Sequence, residues 1–315
     1  MFFIPAHAGA EESRLSLVVQ NDVFVGTDGG GYSSGIALSH LRSVSPGETA
    51  VAALPVVGTV APWLGVGPAT LTRFSLSQIM VTPRDISRKE PDPTDVPYVG
   101  ALWFGAGQVS VRDDVADILG FRLGVMGPAA GARRSQTLIH RLVGSDRPQG
   151  WDSQGPTRLL VGVERYRGWR LALAGDGDER PGADAIVTAG ATLGNLQSSA
   201  GGSVMLRYGT GLQRSFPASL GQELRSGDPV LLGTGWFVYA GVHADRLFSH
   251  AGIGSNRYAE SGKAQLRQAQ NVVVAGLAYG FRRASVSFSL QSAGPLVTST
   301  DRRDPYGSLT CTIPW

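Results

Sequence analysis

The chain has 315 residues, 17% of them charged and 43 of them glycine, with a formal charge of +3, so it is neither a disordered polymer nor a heavily charged cytosolic surface. Mean hydropathy is zero, yet no run of about 18 uninterrupted apolar residues occurs, which withholds support from a transmembrane helix and leaves a β-rich protein with a partly apolar exterior. The basic balance is almost all arginine, with Lys89 and Lys263 the only lysines, and it lacks the dense cluster that marks a nucleic-acid partner.

At the start, Ala6 and Ala8 stand in the small-x-small arrangement that precedes signal cleavage, so residues 1–10 are expected to be the remnant of a secretory signal and residues 11–315 one domain. Apolar and small or polar residues then alternate. Leu15, Leu17 and Val19 share one face of the first stretch; Ser16, Gln20 and Asp22 share the other. In the second, Ile36 and Leu38 oppose Ser33, Gly35, Ala37 and Ser39. Residues 50–69 come next, apolar but broken by Pro55, Pro62 and Pro68 and by three glycines, which suits a segment lying along an interface rather than crossing it.

Such stretches predict strands near 14–25, 32–42, 70–82, 97–112, 116–127, 157–167, 183–194, 199–209, 235–247, 268–281, 283–292 and 306–315. Twelve is an even count, so an antiparallel sheet can close with both chain ends on one side and leave no exposed edge. The expected fold is all-β, a twelve-stranded antiparallel transmembrane barrel with a short helix in an outer loop. Connections 26–31, 83–96 and 128–156 then lie at the outer rim, and turns at Asp113-Asp114 and Arg282 at the inner one; the apolar insert and 211–234 are long for inner turns. Cys311, the sole cysteine, excludes an internal disulfide and suits a small buried or lipid-facing position.

Within 132–143, Leu138, Ile139, Leu142 and Val143 form one helical stripe while Arg133, Gln136 and His140 form another, with Gly144 as C-cap. Asp22 can bind a hard cation, and Asn21, the Ser33 hydroxyl and carbonyls of the 29–31 glycines could complete an oxygen shell of the kind Ca²⁺ accepts. No zinc set presents itself, since His7, His40, His243 and His250 are scattered. Strand parity places Asp22 and Ser33 opposite the leucines, whereas Asn21 falls on the leucine face and needs a bulge or the rim to turn inward. Each feature has a plainer reading: a polar strand end, an exposed helix histidine, a solvated loop arginine.

Taken in order, Gln20-Asn21-Asp22-Val23-Phe24, Thr27-Asp28, Tyr32-Ser33-Ser34-Gly35, Thr82-Pro83-Arg84-Asp85-Ile86, Pro97-Tyr98-Val99-Gly100, Gly127-Pro128-Ala129-Ala130-Gly131, Gln136, His140 and Gly150-Trp151-Asp152 resemble the successive motifs of the LpxR-type outer-membrane lipid A 3′-O-deacylases. The match keeps its order over residues 20–154 and continues only as a barrel with Leu193-Gly194-Asn195. The resemblance implies a site between the wall and a short helix of an outer loop, facing the cell surface, and a Ca²⁺ cofactor. It also implies lipid A or lipopolysaccharide as substrate, the outer membrane as location and a monomer. It assigns Asn21 and Asp22 to the family's Asn-Asp pair, His140 to its catalytic histidine and Ser33 to a position usually threonine. Arg88 or Lys89 stands at a family lysine, and Asp146 where a glutamate occurs.

Those positions allow ester hydrolysis by a histidine-activated water on a metal-polarised carbonyl, with Gln136 orienting the histidine or sugar and an arginine gripping a glucosamine phosphate. Three alternatives stand beside it. One is a phospholipase A1-type barrel using Ser33 and His140, although no G-x-S-x-G elbow is present. The others are a non-catalytic porin or lipid-binding barrel, and a soluble β-sandwich should the outward faces prove polar.

Overall fold

The structure, a computed structural model, describes residues 13–26, 31–44, 54–220, 224, 229–253, 264–281 and 284–315. The expected signal remnant and the glycines Gly29 and Gly30 lie outside the described residues. Twelve strands form: β1 (Ser13–Asn21), β2 (Gly31–Ser43), β3 (Leu71–Thr82), β4 (Val99–Arg112), β5 (Val115–Met126), β6 (Arg158–Ala174), β7 (Gly182–Gly194), β8 (Gln197–Gly209), β9 (Gly235–His250), β10 (Ala269–Phe281), β11 (Ala284–Ala293) and β12 (Asp304–Pro314). Each pairs antiparallel with its chain neighbour and β1 pairs with β12, so the sheet is a closed barrel as expected. The β-sandwich reading is overturned by that closure.

The two largest boundary differences from expectation have identifiable reasons. β1 stops at Asn21 because Asn21 caps a 3₁₀ turn, Asp22–Val25, instead of continuing extended to 25. β6 runs on to Ala174, past the expected end at 167, across a bulge between Ala172 and Ala174.

Register turns the alternation into an apolar belt. Leu17 lies opposite Leu38, Leu38 opposite Leu76, Leu76 opposite Phe104, Phe104 opposite Leu123, and Leu123 opposite Val161. All six are more than 40% exposed although large and apolar, which identifies the outward face as the lipid-facing one. Cys311 opposes Leu17 on the same face and is exposed.

The inward face carries charge. Asp184, buried completely, accepts from Arg170 Nε at 2.7 Å and from Arg207 Nη2 at 2.6 Å. Removing Asp184 would leave the fully buried Arg207 guanidinium without its counter-charge, at a cost of about 3–5 kcal/mol. Arg122 and Arg73 similarly flank Glu164. Of the long 211–234 connection, residues 211–220 fold back into the lumen. Its helix α3 (Leu212–Ser215) and the following turn bury Phe216 and Leu220 against Val109, Ile118, Tyr166 and Ile186, and Arg207 Nη2 donates to the Leu212 carbonyl at 2.7 Å. A connection too long for a turn is thus a plug at one barrel end.

The other long insert stays outside. α1 (Pro55–Val60) and a 3₁₀ turn, Ala61–Leu64, bury Leu54, Val57, Ala61 and Val66 over Leu119. Leu119 sits four positions from the belt residue Leu123 on the same strand and so faces outward; it is fully covered. The insert therefore lies along the wall, as its prolines and glycines predict. α2 (Ala132–Val143) occupies the predicted range and ends at Gly144, whose N–H caps the His140 carbonyl. At this rim the connections after odd strands touch: Gln149 N–H donates to the Ile86 carbonyl at 2.8 Å, and Ser299 Oγ to the Thr94 carbonyl at 2.7 Å.

Candidate active site

Four positions from the belt toward that rim, Asn21 opposes Ser34, Ser34 opposes Met80, and Met80 opposes Gly100. This row shares the belt's parity, so it faces the outside of the barrel. α2 lies on it: a Cβ added at Gly100 would stand 2.4 Å from Ala132 Cβ, so only glycine lets the helix approach this closely. A cleft between wall and helix is lined by Asn21, Asp22, Ser33, Ser34, Met80, Thr82, Ile86, Gln136, Ile139, His140 and Ser145.

The expected facing of these residues is corrected here. Asn21 needs no inward turn, because the site is on the leucine face. Ser33 is the residue that changes sides: register slips between Tyr32 and Ser34, and the extra residue brings the Ser33 hydroxyl to 2.5 Å from Thr82 Oγ1. Tyr32 stays inward, donating to Gln20 Oε1 at 2.7 Å. Gly31 opens β2 at φ +88°, and a side chain there would collide with the Asp304 carboxylate. Asp22 reaches the cleft through the 3₁₀ turn, whose first N–H groups Asn21 serves by accepting from Val23 N–H at 2.8 Å.

The helix turns Gln136 and His140 of the polar stripe toward the wall, with Ile139 beside them. Gln136 is buried, whereas Leu138 of the apolar stripe is 55% exposed and Arg133 turns away to pair with Asp152. The helix thus turns Leu138 outward and encloses Gln136 and His140 in the cleft. His140 Nδ1 lies 2.5 Å from the Asp146 carbonyl oxygen. A carbonyl only accepts, so Nδ1 donates, and in the neutral ring the lone pair is on Nε2. Gln136 Oε1 accepts from Trp151 Nε1 at 2.7 Å; because indole only donates, the Gln136 amide oxygen is committed and its NH₂ is left for other partners. Trp151 in turn packs on Tyr98, ring centroids 4.9 Å apart, and burial raises the Tyr98 phenol above its ordinary value.

Five expected residues therefore meet: Asn21, Asp22, Ser33, Gln136 and His140. Asp146 joins through its backbone, its side chain being exposed, and Arg88 and Lys89 are exposed on the β3–β4 connection outside the cleft lining. Sequence reasoning did not single out Ser34, Thr82, Met80 or Trp151 as site residues. Ser34 and Met80 share the parity of Asn21, a signal that was present once the lipid-facing side was taken as the working side.

Donors at the Asp22 end are oxygens: its carboxylate and the Ser33, Ser34 and Thr82 hydroxyls. Ser34 Oγ is buried and has no hydrogen-bond partner among the described residues, an orphan that a cation would satisfy. One carboxylate with hydroxyls fits a hard cation such as Ca²⁺. Among the described residues no group of three or more His, Cys, Asp or Glu side chains gathers as zinc would require.

Comparison with known proteins identifies the family and the fold. The family model described as outer membrane protein LpxR matches residues 1–315. The solved structure of LpxR from Salmonella typhimurium superposes with a TM-score of 0.76 at 18% identity, over 96% of this chain and 100% of that one. The β domain of the Bordetella autotransporter BrkA gives a TM-score of 0.45 at 12% identity, over 98% of this chain and 99% of that one. The translocator domain of the autotransporter NalP from Neisseria meningitidis gives 0.43 at 10%, over 96% and 88%. No curated protein matches. A family match over the whole length, on a closed twelve-stranded barrel, means that this chain belongs to the LpxR family of outer membrane proteins.

Proposed function

We propose that this protein is an outer-membrane esterase that hydrolyses the 3′-O-linked acyloxyacyl group of lipid A, with the cleft at the cell-surface leaflet. One observation carries the reading: a histidine held as the Nε2 base by the Asp146 carbonyl shares a lipid-facing cleft with Asp22. A cleft on the outer wall meets a membrane lipid directly, without drawing it into the lumen. The plugged lumen disfavours the porin alternative, and Ser33 bonds Thr82 rather than His140, which disfavours a serine nucleophile.

In this reading Nε2 of His140 takes a proton from water as the water oxygen attacks the ester carbonyl carbon. The Asp146 carbonyl stabilises the resulting imidazolium through Nδ1–H. When the carbon–oxygen bond to the sugar breaks, the imidazolium returns the proton to the departing 3′-oxygen, giving a free sugar hydroxyl and a fatty acid. Ca²⁺, when held by Asp22 with the Ser33 and Ser34 hydroxyls, supplies positive charge beside the developing oxyanion. Asn21 shapes that end by capping the turn that carries Asp22. The Gln136 NH₂, aimed by Trp151, offers donors to the substrate, and in this reading Arg88 or Lys89, exposed on the β3–β4 connection, grips a glucosamine phosphate beyond the cleft.

The test is mass spectrometry of lipid A incubated with the purified protein in detergent, with Ca²⁺ and with a chelator. Loss of one acyloxyacyl group only with Ca²⁺ is expected. Unchanged lipid in both arms would overturn the proposal.

A further inference from the structure

The wall edge remote from the cleft carries a second feature that deacylation does not use. Four positions from the belt on that side, Ser13 opposes Arg42, Arg42 opposes Thr72, Thr72 opposes Gln108, Gln108 opposes Leu119, and Leu119 opposes Arg165. This row mirrors the row of Asn21 and Gly100. From Gly100 to Gln108 the separation is eight residues along β4, roughly 27 Å before strand tilt, comparable with the apolar band of about 25 Å of outer-membrane barrels. The two rows therefore lie toward opposite membrane–water interfaces.

At this second interface the α1 segment is apolar on both sides. Residues 54–68 contain no charged side chain, and the side turned away from the wall exposes Val56, Leu64 and Trp63, the last 89% exposed. An indole standing out at headgroup depth is the usual signature of interfacial anchoring. Immediately beside it Arg165 neighbours Leu119, the residue under α1. Arg167 lies two positions farther out, and both share Asp117: Arg165 Nη2 at 2.6 Å, Arg167 Nε at 2.7 Å and Nη2 at 3.0 Å. Two guanidiniums on one carboxylate leave net positive charge, and the Arg167 side chain is still 42% exposed. Exposed Arg112 adds a further cation at the end of the same segment, next to Gly67.

We propose that this surface binds a glycerophospholipid of the leaflet opposite the cleft. Its phosphate lies against Arg165, Arg167 and Arg112, and its glycerol and upper acyl chains lie along Trp63, Leu64 and Val56. Charge complementarity selects the occupant: an apolar strip that ends in shared, half-exposed arginines matches a phosphodiester on two acyl chains, whereas a purely apolar partner would leave those cations at its edge. The Asp117 carboxylate holds both forks in place, so little arginine side-chain freedom remains to be lost on binding. With the orientation proposed above the leaflet is the periplasmic one, but the site itself depends only on the barrel and its belt.

Native mass spectrometry of the full chain in detergent tests this, with dioleoyl phosphatidylglycerol and phosphate-free dioleoylglycerol as probes. The wild type is expected to retain one phosphatidylglycerol and no dioleoylglycerol. Trp63→Ala and Arg167→Gln should each lower retention about tenfold, the effect of roughly one charge-assisted hydrogen bond or its equivalent in buried area. Arg165 still holds Asp117 in Arg167→Gln, and heat-modifiable migration verifies that both variants remain folded. Equal retention of the two probes, or retention unchanged in both folded variants, would overturn the proposal. So would a dimer peak in the wild type that Trp63→Ala abolishes, which would assign the surface to a second copy. Neither probe is lipid A, so failure here leaves the deacylase reading to its own test.

Discussion

The two helical segments on the barrel exterior, α1 and α2, rest on mirror-related rows, yet they enclose opposite chemistry. Under α1 the wall offers Leu119 with Phe74, Phe121 and Val163 beside it, and the segment fills that surface with Leu54, Val57 and Ala61. Under α2 the wall offers Gly100, Ser34 and the Ser33 bulge, and the helix brings Gln136 and His140 down onto them. Where apolar groups meet, the contact closes and stabilises. Where polar groups meet at a glycine, close approach leaves a cleft whose donors and acceptors face one another. The difference teaches that small and hydroxylated residues, set at the parity that elsewhere carries large apolar side chains, turn a sealed contact on a barrel wall into a polar cleft.

The sharpest way to break the comparison is His140→Ala. Deacylation should fall by about 10² to 10⁴, the usual contribution of a general base, while heat-modifiable migration on gels stays unchanged; retained turnover would remove His140 from the chemistry. Gly100→Val comes next. Its new side chain has to push Ala132 away, and misplacement of the α2 groups by about 1 Å should cost roughly 10²-fold in kcat with the barrel still closed. The matching substitution under α1, Leu119→Ala, should spare kcat and instead lower stability in urea titrations from lipid vesicles by about 2–4 kcal/mol. If the two variants exchanged phenotypes, the division of roles between the segments would be wrong.

A smaller effect is expected from Trp151→Phe, which keeps the ring against Tyr98 but removes the N–H that fixes the Gln136 amide. About a tenfold loss in kcat, corresponding to one buried hydrogen bond, should appear, with unchanged unfolding midpoints. The smallest concerns Asp85, at the start of the connection that brings Ile86 to the cleft. Hydrogen bonds from the Ser87 hydroxyl and N–H, followed by the charge of Arg88, hold its carboxyl below the ordinary carboxylate range. A lowered folded value means that the ionised form favours the ordered connection at all pH above the ordinary value. That preference is lost as the pH falls through the lowered value. The Ser87 amide resonance should therefore move only in that acid window, and in Asp85→Asn it should not titrate.

Much of this architecture was legible in the residues. Twelve alternating stretches, an even count and the helix from Ala132 to Val143 bounded by Gly144 follow from local periodicity, because a strand repeats every two residues and a helix every 3.6 whatever they pack against. Asn21, Asp22, Gln136 and His140 were legible as a set through the order of their motifs. Ser34 and Thr82 were not, since a hydroxyl on a strand looks alike whether it faces lumen, lipid or a covered cleft. Trp151 escaped because an indole that aims a glutamine across a loop leaves no spacing to count.

Chain order and alternation thus determined a closed barrel with an apolar belt and an outer-loop helix, since both depend on interactions between near neighbours. The tertiary structure alone decided which side of the wall carries the polar cleft. One inserted residue at Ser33 moves a side chain across the sheet, and one glycine at Gly100 admits α2 to contact. Only three-dimensional packing determines whether 211–220 plugs the lumen while 54–66 stays outside, because both are apolar connections and differ in the surfaces that await them.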